Sequence, residues 1–115
     1  MPRTFDEKEL LQRVDDDWDF LDETVQMLSA EGPALVEEIR RSAAAGDAPG
    51  VARAAHTLKG MISNFCSPAA HASAIAVERI GKDGDLAVLP DLLDALEDRL
   101  NTLIVDLTGF LATRA

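Results

Sequence analysis

Residues 48–65 have the sequence APGVARAAHTLKGMISNF, and this stretch carries the pattern that decides the fold. A helix turns by about 100° per residue, which brings one group of apolar side chains to within roughly 60° of Leu58. This group consists of Val51, Ala54, Ala55, Ile62 and Phe65. His56 lies about 160° from Leu58 around the same helix, so it is expected to face water. The segment therefore predicts an amphipathic helix with a histidine opposite its buried face.

The rest of the chain has the same helical character. Alanine, leucine and charged residues dominate, tyrosine is absent, and no alternating apolar and polar run indicates a strand. Thr4 and Glu7 are spaced as a capping box, and Gly32-Pro33 is expected to interrupt a helix. The expected helices span about 5–14, 18–29, 31–45, 48–65, 68–82 and 86–112.

Short connections between these helices favour antiparallel neighbours. The whole chain is therefore predicted to form a single all-α domain, with an antiparallel up-down four-helix bundle over about 31–112. The N-terminal helices, about 5–29, are expected to cover one end of the bundle with Phe5, Trp18 and Phe20.

Composition excludes several classes of function. The net charge of -10 would repel the phosphates of nucleic acid. The chain has no apolar run long enough for membrane insertion and does not begin with a signal peptide, so a cytoplasmic location is expected. Cys66 is the only cysteine, and with two histidines it gives too few ligands for a Cys/His zinc site. No intrinsic cofactor is expected, and a monomer is expected because no second apolar face is evident.

The residues around His56 indicate a functional role for this histidine, which its exposure alone would not indicate. Ala52, Gly60 and Ser63 share its face of the helix and are all small. Glycine inside a helix costs about 1 kcal/mol relative to alanine, so Gly60 is better explained by the close approach of another molecule. Lys59, one turn further along, could offset the charge of an anion on the imidazole. Taken singly, the histidine and the lysine would each be ordinary solvated side chains.

The hairpin between two helices predicts a second residue at the site. If the chain reverses near Ser67, then Glu78 lies level with His56 because both are eleven residues from the turn. A carboxylate there could accept the proton of one ring nitrogen and leave the other as a nucleophile. The alternative is an ordinary surface glutamate. The same construction places His71 level with Ser63 and on the same side of its helix as Glu78.

A partner is expected to dock on the face around His56. Its predicted surface consists of Ala52, Gly60, Ser63, His71 and Ile75. The short N-terminal helices could add apolar contacts from Leu10, Leu11 or Val14. His71 is expected to be an ordinary surface residue or a contact at the rim of this surface, and a second reactive site there is not expected.

These features resemble the histidine-phosphotransfer (HPt) domain family of bacterial and fungal phosphorelays. The resemblance rests on the sequences AHTLKG at 55–60, NF at 64–65 and VE at 77–78, and on the turn at 81–85. It covers about 31–112 and implies a four-helix bundle. Family members often have glycine or alanine where Ser63 stands, and glycine where Cys66 stands.

The resemblance implies that His56 accepts a phosphoryl group, that Lys59 supports it, and that Glu78 takes the place of a Gln or Glu that orients the histidine. It also implies response-regulator receiver domains or a hybrid sensor histidine kinase as partners, with Mg²⁺ held by the receiver. This chain would then be a phosphocarrier without kinase activity of its own. Two alternatives stay open: the phosphotransfer domain of a chemotaxis-type kinase, phosphorylated directly by an ATP-binding domain, and a helical adaptor without phosphotransfer.

Overall fold

The computed structural model describes residues 4–114, and this part of the chain forms five α-helices, two short 3-10 helices and no strand. The α-helices are α1 (Glu7–Arg13), α2 (Trp18–Ala44), α3 (Ala48–Ile62), α4 (Pro68–Asp83) and α5 (Leu89–Ala112), and the 3-10 helices are Ser63–Phe65 and Leu86–Val88. Helix α3 packs against α2 and α4, and α5 closes the bundle by packing against the same two helices. The predicted all-α, up-down four-helix bundle is confirmed. Within residues 4–114, no helix is long and apolar enough to cross a membrane.

One apolar face of each long helix forms the core. The predicted face of α3 is confirmed, because every member of it is at most 4% exposed; these are Val51, Ala54, Ala55, Leu58, Ile62 and Phe65. Helix α5 contributes a leucine stripe with the same period, made of Leu89, Leu93, Leu96, Leu100, Leu103 and Leu107. Full burial of one such side chain contributes about 1.5–3 kcal/mol, so these faces supply most of the favourable free energy for packing the helices together.

The expected break at Gly32-Pro33 is wrong, because α2 continues through it as a single helix. Two predicted helices, about 18–29 and 31–45, are therefore one element, and the bundle begins at Trp18. Pro33 is exposed, and so is Ser29, whose carbonyl loses its helical partner because proline has no N–H. Water can satisfy that carbonyl.

Burial on both sides of Pro33 outweighs the local cost of a proline inside a helix. The buried face of α2 runs without a gap through Leu21, Val25, Leu28, Gly32, Val36 and Ile39. A proline costs about 3 kcal/mol, which is less than the burial of two or three of these side chains contributes. Gly32 has a packing role here, since a Cβ on it would lie 3.2 Å from Leu100 Cδ2.

The N-terminal segment is tied to the turn between α3 and α4. The predicted Thr4 capping box is wrong: Asp6 is the N-cap of α1, and its side chain accepts a hydrogen bond from the Glu9 N–H at 3.0 Å. The Thr4 carbonyl instead accepts a bond from the Ser67 hydroxyl at 2.8 Å. The Asp6 N–H donates to the Cys66 carbonyl at 3.2 Å. Asp6 is the residue directly before the first residue of α1, Glu7, so its carboxylate and not the Thr4 hydroxyl is placed to cap the helix.

Aromatic packing closes this end of the bundle, as expected for two of the three predicted residues. The ring of Phe110 lies 5.5 Å from that of Phe5 and 5.0 Å from that of Trp18, measured between centroids. The expectation for Phe20 is wrong, since it is 52% exposed. Leu10, which was expected to face a partner, is fully buried in the core, while Leu11 and Val14 are partly buried against it.

Cys66 occupies a backbone conformation that usually belongs to glycine. Its φ and ψ angles are 55° and 44°, in the left-handed region, at the end of the 3-10 helix that follows α3. A side chain in this region costs roughly 1–2 kcal/mol, because Cβ approaches the following carbonyl. The turn therefore keeps the geometry that a glycine would favour, although cysteine stands there.

This conformation predicts the relative stability of two variants at position 66. Cys66→Gly and Cys66→Ala both remove the thiol, but only glycine relieves the left-handed strain. Cys66→Gly is expected to be more stable than Cys66→Ala by about 1 kcal/mol in urea unfolding. Equal stabilities would mean that the turn does not hold this residue in the left-handed region in solution.

Candidate functional site

Helices α3 and α4 approach each other closely at the level of the candidate site. A Cβ on Gly81 would lie 2.6 Å from the backbone nitrogen of Ala52, so the two helices are nearly in backbone contact there. The sequence interpretation treated Gly81 as the end of a helix, but α4 continues to Asp83. Gly81 lies three residues beyond Glu78, and Ala52 lies four residues before His56. The close crossing therefore brings the two predicted site residues together.

His56 projects from the outer face of α3, with 68% of its side chain exposed. Its Nδ1 atom lies 3.0 Å from Oε2 of Glu78, so the pairing expected from the hairpin is confirmed as a contact. A carboxylate can only accept, which makes Nδ1 the protonated ring nitrogen. Because Nδ1 faces the carboxylate and most of the ring is exposed, Nε2 is the nitrogen that a partner can reach.

Glu78 is buried, unlike the surface glutamate that was its alternative interpretation. Its side chain is 4% exposed, and its two oxygens are both engaged. Oε1 lies 2.7 Å from Nζ of Lys59, while Oε2 lies 3.2 Å from Nζ of Lys82 and also contacts His56. A buried carboxylate is costly unless such partners surround it.

The lysine partners keep Glu78 ionised. The hydrogen bond from Lys59 lowers the pKa of Glu78 to about 2, with further lowering by Lys82 and His56, although burial acts in the opposite direction. Glu78 is therefore a carboxylate near neutral pH and a permanent acceptor for the Nδ1 proton. Its negative charge favours the ring tautomer in which Nε2 carries the free lone pair.

Lys82 is a member of this cluster that the sequence interpretation missed. Residues 81–85 were assigned to a turn, yet Lys82 belongs to α4 and lies one helical turn beyond Glu78. The spacing of four residues between a glutamate and a lysine was the available signal, because such pairs lie on one face of a helix. Lys59 was predicted at the site, and its side chain is 27% exposed beside Glu78.

The predicted docking residues differ in how accessible they are. Gly60 is open, since a Cβ on it would meet no atom within 4 Å. Ser63 is exposed, and its hydroxyl donates to the Gly60 carbonyl at 2.7 Å. Ala52, His71 and Ile75 are each partly buried.

Two exposed apolar side chains on α2 were not predicted as surface features. Phe20 and Met27 are 52% and 56% exposed, and they lie seven residues apart on one helical face. Phe20 lines a surface cavity together with Asn64, just beyond the end of α3. Their spacing within the expected helix 18–29 was the signal in the sequence, but the expectation that Phe20 covers one end of the bundle obscured it.

A shallow depression lies beside the exposed histidine. It is lined by Ala52, Arg53, His56, Thr57, Glu78 and Lys82. Among the described residues 4–114, no group of three or more His, Cys, Asp or Glu side chains is placed to hold a metal ion. The depression therefore places an accessible imidazole nitrogen beside the Lys82 ammonium and the Arg53 guanidinium, while the Lys59 ammonium lies on the other oxygen of Glu78.

Comparison with known proteins finds one matching family and a solved structure with a similar fold. The family model of the Hpt domain matches residues 23–105. The fold is similar to the crystal structure of histidine-containing phosphotransfer protein B (HptB) from Pseudomonas aeruginosa PAO1, with a TM-score of 0.80 and 21% sequence identity over 98% of each chain. No curated protein sequence matches the chain.

The ionised state of Glu78 predicts a specific dependence of stability on pH. Its usual pKa of 4.5 applies to the unfolded chain, and the folded value is about 2. The contribution of Glu78 is therefore complete above about pH 4.5 and is lost as the pH falls towards 2. Over that window, the stability of the wild type relative to Glu78→Gln should fall by up to about 3 kcal/mol.

Urea unfolding of both proteins from about pH 6 to about pH 3 should record about 2 kcal/mol of this change, because the rest is lost only below pH 3. The Glu78→Gln variant serves as the control because it keeps the other carboxyl groups and cannot titrate at position 78. A difference that stays constant with pH would contradict the assignment of a strongly lowered pKa.

Gly60 and Gly81 form a matched pair for testing the helix crossing. Each is the third residue from the end of its helix, but only Gly81 faces another backbone. Gly81→Ala should destabilise the protein by about 1–3 kcal/mol through overpacking. Gly60→Ala should stabilise it by about 0.5–1 kcal/mol through helix propensity.

Thermal or urea unfolding of the two variants tests this contrast. NMR of the His56 ring should show that Gly81→Ala also weakens the contact with Glu78. If Gly81→Ala were as stable as the wild type, the close crossing of α3 and α4 would be wrong.

Proposed function

Since this chain belongs to the Hpt domain family, whose members are histidine phosphotransfer proteins of phosphorelays, we propose that His56 is its phosphoryl acceptor. The donor is a phospho-aspartate of a receiver domain, and a second receiver takes the group onward. One observation carries this proposal: His56 is 68% exposed while its Nδ1 contacts a buried and ionised Glu78. That combination supplies an accessible nucleophile with a fixed tautomer.

In the proposed transfer, one bond to phosphorus forms as another breaks, and no proton leaves the site. The Nε2 lone pair attacks the phosphorus of the acyl phosphate, an N–P bond forms, and the P–O bond to the partner's aspartate breaks. The aspartate leaves as a carboxylate. The Nδ1 proton stays between the ring and Glu78, whose negative charge stabilises the positive charge that develops on the imidazole. The reverse sequence returns the phosphoryl group to a receiver.

The residues near His56 can assist by charge and by leaving space. Lys59 has three N–H donors, so its ammonium can contact Glu78 and still donate to a phosphoryl oxygen. Ala52, Gly60 and Ser63 form the low surface on which a receiver docks, with His71 and Ile75 at its rim. In this proposal the receiver holds the Mg²⁺ and supplies the in-line geometry, because phosphoryl transfer depends mainly on positioning and charge neutralisation.

The chain acts as a phosphocarrier in this scheme, because Hpt proteins carry the group between partners and are not kinases. We place the exchange in the cytoplasm as part of this proposal. A monomer suffices, since His56, Lys59 and Glu78 all come from one chain.

The test is phosphate uptake from a phosphorylated receiver, followed as acid-labile phosphate on a mobility-shift gel. Wild type is expected to take up the group and His56→Gln to take up none. His56→Gln should unfold within about 1 kcal/mol of wild type, because the replaced side chain is mostly exposed. Absence of uptake by a folded wild type from every receiver of its source organism would contradict the proposal.

His71→Gln provides the matched control, since His71 is the second of the two histidines in the chain. The small donor phosphoramidate needs no docking surface, so with this donor His71→Gln should be phosphorylated as wild type is. Loss of phosphohistidine in His71→Gln, with uptake retained in His56→Gln, would move the acceptor site to α4.

A further inference from the structure

Two of the three lysines in the chain contact the same buried carboxylate. Lys59 and Glu78 alone would form a pair with no net charge. Lys82 adds a second ammonium, so this cluster carries a net charge of about +1 while the whole chain carries -10. The positive surplus is local, and Lys82 borders the depression that also contains His56 and Arg53.

We propose that Lys82 is a positioning residue for phosphoryl transfer: it neutralises Glu78 and so leaves the charge of Lys59 available to the phosphoryl group on His56. This inference rests on the proposed function. Its geometric basis is that the two lysines bind different oxygens of the carboxylate, Lys59 at Oε1 and Lys82 at Oε2. Lys82 can therefore remain on Glu78 while the Lys59 ammonium turns toward the new anion.

The need for Lys82 follows from the presence of glutamate at position 78. A phosphoryl group carries a charge of about -2, and it would form on a ring that already contacts a buried carboxylate. The phosphoryl group and the Glu78 carboxylate would be like charges on either side of one imidazole ring, so they would repel each other. The repulsion is stronger where water is partly excluded. A neutral glutamine at the same place would accept the Nδ1 proton without adding negative charge. In this chain the second lysine offsets the charge that glutamate introduces.

Lys82 differs from Lys59 in a way that fits this division of roles. Its side chain is 68% exposed, compared with 27% for Lys59, and it lies on the same helix as Glu78 at a spacing of four residues. Lys82 can therefore keep its contact with the Glu78 carboxylate even when Lys59 changes its own contacts. The rival explanation is that Lys82 touches the phosphoryl group directly, since it borders the same depression.

The experiment uses phosphoramidate as the donor, which separates the site from receiver docking. The Nε2 lone pair attacks phosphorus, the P–N bond of the donor breaks, ammonia leaves, and the N–P bond to His56 forms. The initial rate of phosphohistidine formation is followed by ³¹P NMR in the full chain. The proteins compared are wild type, Lys82→Gln, Lys82→Arg, Glu78→Gln, the double variant Glu78→Gln/Lys82→Gln, and Lys8→Gln.

The expected result is an interaction between positions 78 and 82. Lys82→Gln should slow phosphorylation by about two- to fivefold, the upper part of the range of a partly exposed charge pair, and Lys82→Arg should restore the rate. In the Glu78→Gln background, the same change at Lys82 should alter the rate by less than about twofold. Lys8→Gln removes one positive charge on the exposed face of α1 and should leave the rate within about twofold of wild type.

Two outcomes would overturn the role of Lys82 while leaving the proposed function intact. If Lys82→Gln slows the reaction equally in both backgrounds, Lys82 acts on the phosphoryl group directly and not through Glu78. If Lys82→Gln reacts as fast as wild type, the surplus charge has no part in the transfer. A folded wild type that forms no phosphohistidine with either phosphoramidate or a receiver would instead remove the proposed function, and this inference with it.

Discussion

The carboxylate of Glu78 is buried between two helices, and it is stable there because Lys59, Lys82 and His56 surround it. Taking a carboxylate out of water costs several kcal/mol, and only a complete set of partners offsets this cost. The requirement fixes the positions of three side chains on two helices. It also fixes the histidine ring, whose Nδ1 must face the carboxylate to complete the set. The outward orientation of Nε2 thus follows from the way the buried charge is satisfied.

This cluster depends in turn on how closely α3 and α4 can approach. The glycine at position 81 removes the side chain that would otherwise separate the helices, and the backbone of Ala52 occupies the space. The core faces of both helices hold them in this arrangement. A site on rigid helices keeps its geometry more accurately than a site on loops, which suits a reaction that depends on positioning. The small residues on the outer face of α3 leave the nitrogen accessible without loosening the core.

Local penalties at Pro33 and at Cys66 are outweighed by packing elsewhere. Pro33 lies inside α2, and Cys66 adopts a left-handed conformation, so each costs on the order of 1–3 kcal/mol. The buried face of α2 and the hydrogen bonds between the N-terminal segment and the α3–α4 turn offset these costs. The local signal at Gly32-Pro33 pointed to a helix break. It failed because propensity acts over a few residues, whereas burial acts along a whole helix.

The sequence by itself determined the helical class, the buried face of α3, the exposure of His56 and its pairing with Glu78. These follow from helical period and hairpin register, which are local geometric rules. Only the tertiary structure decided the continuity of α2, the burial of Glu78 and the close crossing at Gly81. Each of these depends on packing between helices, which is set by side-chain volumes summed over the whole core. The spacing of residues along the sequence does not reveal how those volumes add up in the folded core.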